Sequence, residues 1–261
     1  MRTFGAVLQA LREHAGLNRE EFADLVRFSK HTVASVELGR RMPDLAFVER
    51  AEEALGNTGA LRKALPKLGR QPGLAAWFRR WAGLEASAIA LYTYECRMVP
   101  GLLQTEGYAR ALFAGQLPPL DDEQIEERWS ARAERQKLLR ERPNTAFSFI
   151  LEEHLLLRRT GGTDVARALI EHLLEIGELR NIEIQIMPLS RGAHAGLAGP
   201  MQLLETPETQ WFAYNEGQRG GLFDSDPKEI SVLQQRYARM RSQALPFEDS
   251  VSLLERMRGD L

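Results

Sequence analysis

The sequence predicts two domains of different class, an all-α head followed by an α+β body whose antiparallel sheet is flanked by helices. Three observations lead to this. A chain of 261 residues is long enough for two modest domains. Apolar spacing is helical through the first sixty residues and becomes mainly strand-like only after Pro143. Charge divides the same way: residues 1–60 carry eight Lys/Arg against nine Asp/Glu, and residues 61–84 carry six bases and no acid. The remaining 20 bases and 27 acids fall in residues 85–261. A net charge of −2 therefore hides a near-neutral head, a basic connector and an acidic body.

Composition narrows the class further. Apolar residues at 44% and charged residues at 27% are those of a chain able to bury a core. No apolar run approaches the roughly 18 to 20 residues that cross a bilayer. The start, Met1 to Gly5, has no apolar signal core, and the single cysteine, Cys96, has no partner for an internal disulfide. A cytoplasmic location is expected, with no membrane partner.

In the head, Phe4, Leu8, Leu11 and Ala15 form one helical stripe, which Gly16 terminates as a C′ residue. Asn18 caps the next helix, Glu21 completes a capping-box pair, and Phe22, Ala23, Leu25 and Val26 are read as inward-facing. Ser29 caps a third helix in which Val33 and Val36 face the core while Lys30, His31, Ala34 and Ser35 point away; Gly39 ends it. Pro43 and Asp44 open a fourth with Phe47, Val48, Ala51 and Leu55 apolar, and a short Ala-Leu helix follows. Only Arg27 and Phe28 separate the second helix from the cap of the third. Two short helices joined so tightly must cross steeply, which is helix-turn-helix geometry.

These residues, above all Glu37-Leu38-Gly39-Arg40-Arg41-Met42-Pro43, resemble the Xre-type family of phage-repressor-like regulators over about residues 4–56. One departure is Arg27, where the family usually has Gly: either positive φ is kept there at a cost of about 1 kcal/mol or more, or the turn is built differently. The resemblance implies that the third helix enters the major groove of an operator, with Lys30, His31, Ala34 and Ser35 reading base edges. Arg19, Arg40 and Arg41 are expected to hold phosphates. Glu37 is read as a brace, and Glu13, Glu49, Glu52 and Glu53 as acids on the opposite faces. A homodimer is expected, because operators of this type are read as paired half-sites.

The head is expected to span residues 1–66, a basic linker 67–73, and the body 74–261. In the body, Trp77, Trp81, Leu84 and Ala88 lie along a long helix, and Leu91–Cys96 forms a short strand. Thr105 caps a helix with Tyr108, Ala109 and Leu112; Asp121-Asp122 open another with Ile125, Trp129, Arg132, Gln136 and Leu139 on one side. Strands are expected at 145–152, 182–187, 201–206 and 210–216, the last two as a hairpin. Helices at about 163–178 and 227–244 are expected to cover one sheet face.

The run Val99-Pro100-Gly101-Leu102-Leu103-Gln104-Thr105, with Tyr94-Glu95, Arg135-Gln136 and the Ile184–Pro188 strand exit, resembles the C-terminal domain of unknown function in WhiJ-like, antitoxin-like actinobacterial regulators. That resemblance implies a regulator of development or antibiotic production that binds a small partner protein encoded nearby. Three readings of the body stand open. It can hold a small partner protein, respond to a small-molecule effector, or act as a hydrolase through Glu152, Glu153 and His154. The hydrolase is the weakest, since successive strand side chains point to opposite faces. No catalytic residues, cofactor or metal site are expected, because His172 and His194 lack metal-ligand spacing. Tyr92, Tyr94, Trp211, Phe212 and Tyr214 are candidates to line a pocket, with Arg191 and His194 on a 188–200 loop long enough to act as a lid or partner-binding segment.

Overall fold

The structure, a computed structural model, describes residues 2–39, 43–65, 78–217 and 220–261. The chain forms two compact units, Met1–Arg70 and Gln71–Leu261. The expected linker, and Arg40 and Arg41, lie outside the described residues.

The first unit contains α1 (Arg2–His14), α2 (Arg19–Val26), α3 (Lys30–Glu37), α4 (Leu45–Ala54) and α5 (Ala60–Ala64). Asn18 accepts from the backbone N–H groups of Glu20 and Glu21 while Glu21 accepts from that of Asn18, a complete capping box. Ser29 and Asp44 cap α3 and α4 by accepting from the backbone N–H groups of Thr32 and Phe47. The turn between α2 and α3 is a Schellman closure: Phe28 N–H donates to the Ala23 carbonyl and Arg27 N–H to that of Asp24. It places Arg27 at φ 56°, so the strained conformation that glycine would relieve is borne by an arginine. Leu25, expected inside, is 54% exposed, because the inward stripe of so short a helix is filled by Phe22, Ala23 and Val26. Glycine is required at position 5: a Cβ there would lie 2.1 Å from the Glu37 carbonyl oxygen, where α1 crosses the end of α3.

Glu52 is not a surface acid as the sequence suggested. It is buried, and its carboxylate accepts from the N–H groups of Gly59, Leu61 and Arg62, satisfying donors that the first turn of α5 leaves open. Burial alone would push this carboxyl up, but those N–H groups outweigh it and hold it below its usual range.

The second unit is built on a six-stranded sheet of order β3-β2-β1-β4-β5-β6. Its strands are β1 (Ala90–Glu95), β2 (Ala146–Glu152), β3 (Ile182–Met187), β4 (Met201–Glu205), β5 (Trp211–Gly217) and β6 (Gly220–Asp224). The sheet is mixed, which corrects the expected antiparallel one: β1, β2 and β3 run parallel, and β4, β5 and β6 are antiparallel additions. The reason lies in the connections. Between β1 and β2 the chain forms α7 (Glu106–Ala114), α8 (Asp122–Gln136) and α9 (Leu138–Glu141); between β2 and β3 it forms α10 (Glu153–Leu157) and α11 (Thr163–Gly177). Helical crossovers return the chain to the same end, whereas the hairpins after β4 reverse it. Residues Phe147–Glu152 are buried on both faces, as a central parallel strand requires.

The helix before β1, α6 (Arg79–Glu85), ends before Ala88, earlier than expected, and Trp77 lies outside the described residues. The helices α12 (Pro227–Gln243) and α13 (Phe247–Gly259) complete the unit. They do not share one face. Leu169, Leu173 and Leu254 of α11 and α13 pack with Phe149, Ile184 and Tyr214, whereas Ile230, Tyr237 and Met240 of α12 pack with Ile150, Met187 and Leu203. Strand alternation sends these two strand sets to opposite faces, so the sheet is covered on both. The outer edge of β3 is closed as well: Leu245 N–H donates to the Ile186 carbonyl, and the buried Ser250 hydroxyl accepts from Ile186 N–H.

The distinctive Val99–Thr105 run is a clamped turn. Gln104 donates to the Val99 carbonyl, Gln136 of α8 donates to the carbonyls of Gly101 and Gln104, and Arg132 donates to Gln104 Oε1. Burial and the nearby Arg135 lower the Arg132 guanidinium to about 10.

Candidate functional site

Two surfaces carry the chemistry, one in each unit. In the first, Lys30 and His31 are exposed and Ala34 and Ser35 half-buried, while Thr32, Val33, Val36 and Glu37 of the same helix are buried. The four predicted base-reading residues thus share one side of α3. Their local bonds are weak: Lys30 Nζ pairs with Glu20 Oε2 at 2.8 Å between exposed side chains, and the Ser35 hydroxyl lies 3.4 Å from His31 Nδ1. An exposed ion pair is worth about 0–1 kcal/mol, so a competing partner displaces it at little cost.

The inner side of α3 is fixed more firmly. Glu37 is fully buried and takes Arg12 Nε on Oε1 at 2.5 Å and Arg19 Nε on Oε2 at 2.6 Å. Arg12 also donates to the Leu17 carbonyl at 2.7 Å, binding the end of α1 to the same cluster. Hydrogen bonding by Glu37 raises the Arg12 guanidinium against the opposing effect of burial. Arg19, expected on phosphate, spends its Nε on this brace, although its side chain remains 38% exposed. The guanidinium pair locks α1, α2 and α3 together and holds the outer face of α3 in place.

In the second unit the parallel strands end together at a cleft of about 300 Å³, lined by Tyr94, Cys96, Glu152, His154, Pro188, Leu189, Gly192, His194, Gly196 and Leu197. Tyr94 stands near the end of β1, Glu152 ends β2, and Pro188 follows β3. This is the carboxyl end of a parallel sheet, where open α/β sheets place their ligands. Glu152 is the centre: Tyr94 OH donates to its Oε1 at 2.7 Å, and His194 Nε2 stands 3.2 Å from the same oxygen. Gly196 N–H donates to His194 Nδ1, which leaves the ring proton on Nε2, the nitrogen that faces the carboxylate. His154 Nε2 lies 2.9 Å from the Cys96 carbonyl, and its Nδ1 lies 3.8 Å from Glu152 Oε2.

Burial, followed by the Glu152 contact, pushes the Tyr94 phenol far above its ordinary range and keeps it a neutral donor. Burial, then Glu95, also raises the Cys96 thiol, leaving little of the thiolate that makes a cysteine reactive.

Of the residues singled out from sequence to line a pocket, only Tyr94 and His194 line this cleft, joined by Glu152 and His154 from the hydrolase reading. Tyr92 and Trp211 pack 5.4 Å apart on the same sheet face, with Tyr92 stacked on Tyr237, as core beneath α12. Tyr214 belongs to the other face, stacked on Trp81 at 5.4 Å, and Phe212 lies there beside Phe223; strand alternation separates them from Trp211. Arg191 is exposed and is not among the lining residues. Nor is the 188–200 loop a free lid. Leu189 N–H donates to Glu153, Ala195 N–H to Gln243, and a Cβ on Gly196 would lie 2.4 Å from the Tyr94 ring. Sequence reasoning considered Glu152 and His154 only as hydrolytic residues and missed Glu152 as the shared partner of Tyr94 and His194. Its position as the last residue of a buried strand was the available signal.

Together these features define a two-domain DNA-binding protein, a helix-turn-helix unit joined to an α+β body. A helix-turn-helix domain family matches residues 3–65, and a family described as Domain of unknown function (DUF5753) matches residues 78–256. The chain belongs to this latter family, which covers well over half its length. No curated protein and no solved structure matches the chain. Among the described residues, no helix is long and apolar enough to cross a membrane, and no cluster of His, Cys, Asp and Glu is arranged to hold a metal ion.

Proposed function

We propose that the chain is a sequence-specific transcription regulator of the Xre type that binds double-stranded operator DNA as a homodimer and whose body senses an effector. The observation that carries this is the division of α3, one side locked by Glu37, Arg12 and Arg19 and the other offering Lys30, His31, Ala34 and Ser35. Lys30 is suited to donate to guanine O6 and N7, His31 and Ser35 to donate or accept, and the Ala34 methyl to meet a thymine methyl. Arg40 and Arg41 follow α3 in sequence and are assigned to phosphates, with Arg19 as a secondary contact beside its bracing role.

Selection of bound genomic fragments followed by affinity measurement tests this. Lys30→Ala or His31→Ala should change discrimination between sequences by about 1–3 kcal/mol. Arg40→Ala or Arg41→Ala should weaken all sequences alike and lower the salt slope by about one per phosphate contact. Equal loss on every sequence for both sets would remove Lys30 and His31 from base readout.

For the body, a small-molecule effector is favoured over sequestration of a partner protein, the antitoxin-like alternative, because the cleft is small, about 300 Å³, and its Glu152 and His194 side chains are buried. A stoichiometric small protein co-purifying with the chain would reverse that order. The raised Cys96 thiol and the Tyr94 hydroxyl bonded to Glu152 support binding rather than turnover. A role in development or secondary metabolism rests on the resemblance to WhiJ-like regulators.

A further inference from the structure

The cleft at the carboxyl ends of β1, β2 and β3 has a definite hydrogen-bonding sign. Glu152 Oε1 accepts from Tyr94 OH at 2.7 Å, and His194 Nε2 stands 3.2 Å from the same oxygen. The Cys96 carbonyl can only accept, so the His154 nitrogen facing it, Nε2, carries the proton. In the neutral ring, Nδ1 is then a lone pair, and it faces Glu152 Oε2 at 3.8 Å. Two acceptors stand there 3.8 Å apart, with no proton to share between them and close enough for one multiple donor to bridge. Both belong to residues that line the cleft, and no Lys or Arg is among the described residues lining it. An anionic ligand would meet the Glu152 charge uncompensated. Above this polar floor the rim is apolar: Leu189 is 56% exposed and Leu197 70% exposed.

We propose that the cleft is the receptor for a small primary amine, bound as its ammonium ion, whose N–H groups bridge Glu152 Oε2 and His154 Nδ1 while its carbon skeleton lies against Leu189 and Leu197. An ammonium has three donors and a positive charge, so it satisfies both acceptors and compensates the buried carboxylate at once. An alcohol of the same shape has one donor and no charge. The proposal rests on reading the body as the sensing half of the regulator.

The test uses the full chain and isopentylamine, with isopentanol and 4-methylpentanoate as controls of similar shape. The amine should raise the melting temperature of the body by about 5–10 °C at a hundredfold excess over its Kd, and neither control should do so. Glu152→Gln keeps the shape and removes the charge; it should weaken the amine about ten- to hundredfold. His154→Leu, at a half-exposed position where it removes one hydrogen bond to the Cys96 carbonyl, should weaken it about five- to tenfold, so the test survives if the first variant does not fold. Equal stabilisation by the alcohol or the acid, no stabilisation by the amine, or undiminished amine binding in His154→Leu would overturn the proposal. Operator affinity measured with and without isopentylamine separates the two readings. Amine binding without any change in DNA affinity would end the sensing role and leave the receptor standing. Intact sequence-specific DNA binding with no amine binding would do the reverse.

Discussion

The head and the body each bury a glutamate at their centre, and they treat it differently. Glu37 receives a guanidinium on each oxygen, from Arg12 and Arg19. Its charge is balanced on the spot, and its work is to hold three helices in register. Glu152 accepts from the Tyr94 hydroxyl, with His194 Nε2 at 3.2 Å from the same oxygen. That arrangement positions the carboxylate with no guanidinium on it and leaves the second oxygen toward His154. A carboxylate set between two guanidinium groups is a brace; Glu152, with no Lys or Arg among the described residues lining its cleft, has no such lock.

The comparison can be broken first at Glu37. Glu37→Ala leaves the Arg12 guanidinium, whose side chain is only 7% exposed, without its counterion. The cost should be about 3–5 kcal/mol, confined to the head. Calorimetry of the full chain should show the head transition lost or shifted far down and the body transition unmoved. A shift of both together would mean that the two units do not unfold independently.

Gly196→Ala probes the other centre. The new Cβ would fall 2.4 Å from the ring of Tyr94, a side chain that is 1% exposed and cannot retreat. The loop should lift, parting His194 from Glu152 and destabilising the body by about 1–3 kcal/mol. Hydrogen exchange should accelerate at residues 194–197 while the strand amides stay protected; unchanged exchange there would show that the loop is not pinned through this contact.

The smallest effect is expected at Arg27→Gly. Glycine relieves the φ of 56° but adds freedom to the unfolded chain, for a net gain of about 0.5–1 kcal/mol in the head. A rise of about 2–6 °C in the head transition is expected, with operator preference unchanged. No rise would mean that the Schellman closure already compensates the arginine.

The two units also differ in how far they could be read. The head is written locally: caps at Asn18, Ser29 and Asp44, stops at Gly16 and Gly39, and apolar residues at helical spacing within a few turns of one another. The body is written at long range. Its strands were found as strands, but the alternation of Ile182, Ile184 and Ile186 is the same whether a neighbour runs parallel or antiparallel. The edge strand β6 escaped because Gly220-Gly221-Leu222-Phe223-Asp224 is short and glycine-rich, with no alternation to detect. Helix α13 was missed although Glu248 and Asp249 in its first turn and the spacing of Leu254 and Met257 offered a signal.

The sequence by itself therefore determined the helix-turn-helix, the face of α3 that points outward, the positions of five strands and the uneven distribution of charge. These follow from interactions between residues close in the chain, whose geometry is set by helix and strand periods. Only the tertiary structure decided that the sheet is mixed, that helices cover both its faces, that Glu52 is a buried cap, and that Tyr94, Glu152 and His194 converge. Each of these depends on contacts across many residues, as between Tyr94 and Glu152, 58 positions apart. Local pattern can name the donor and the acceptor in such a pair, but the crossover between them decides whether they meet.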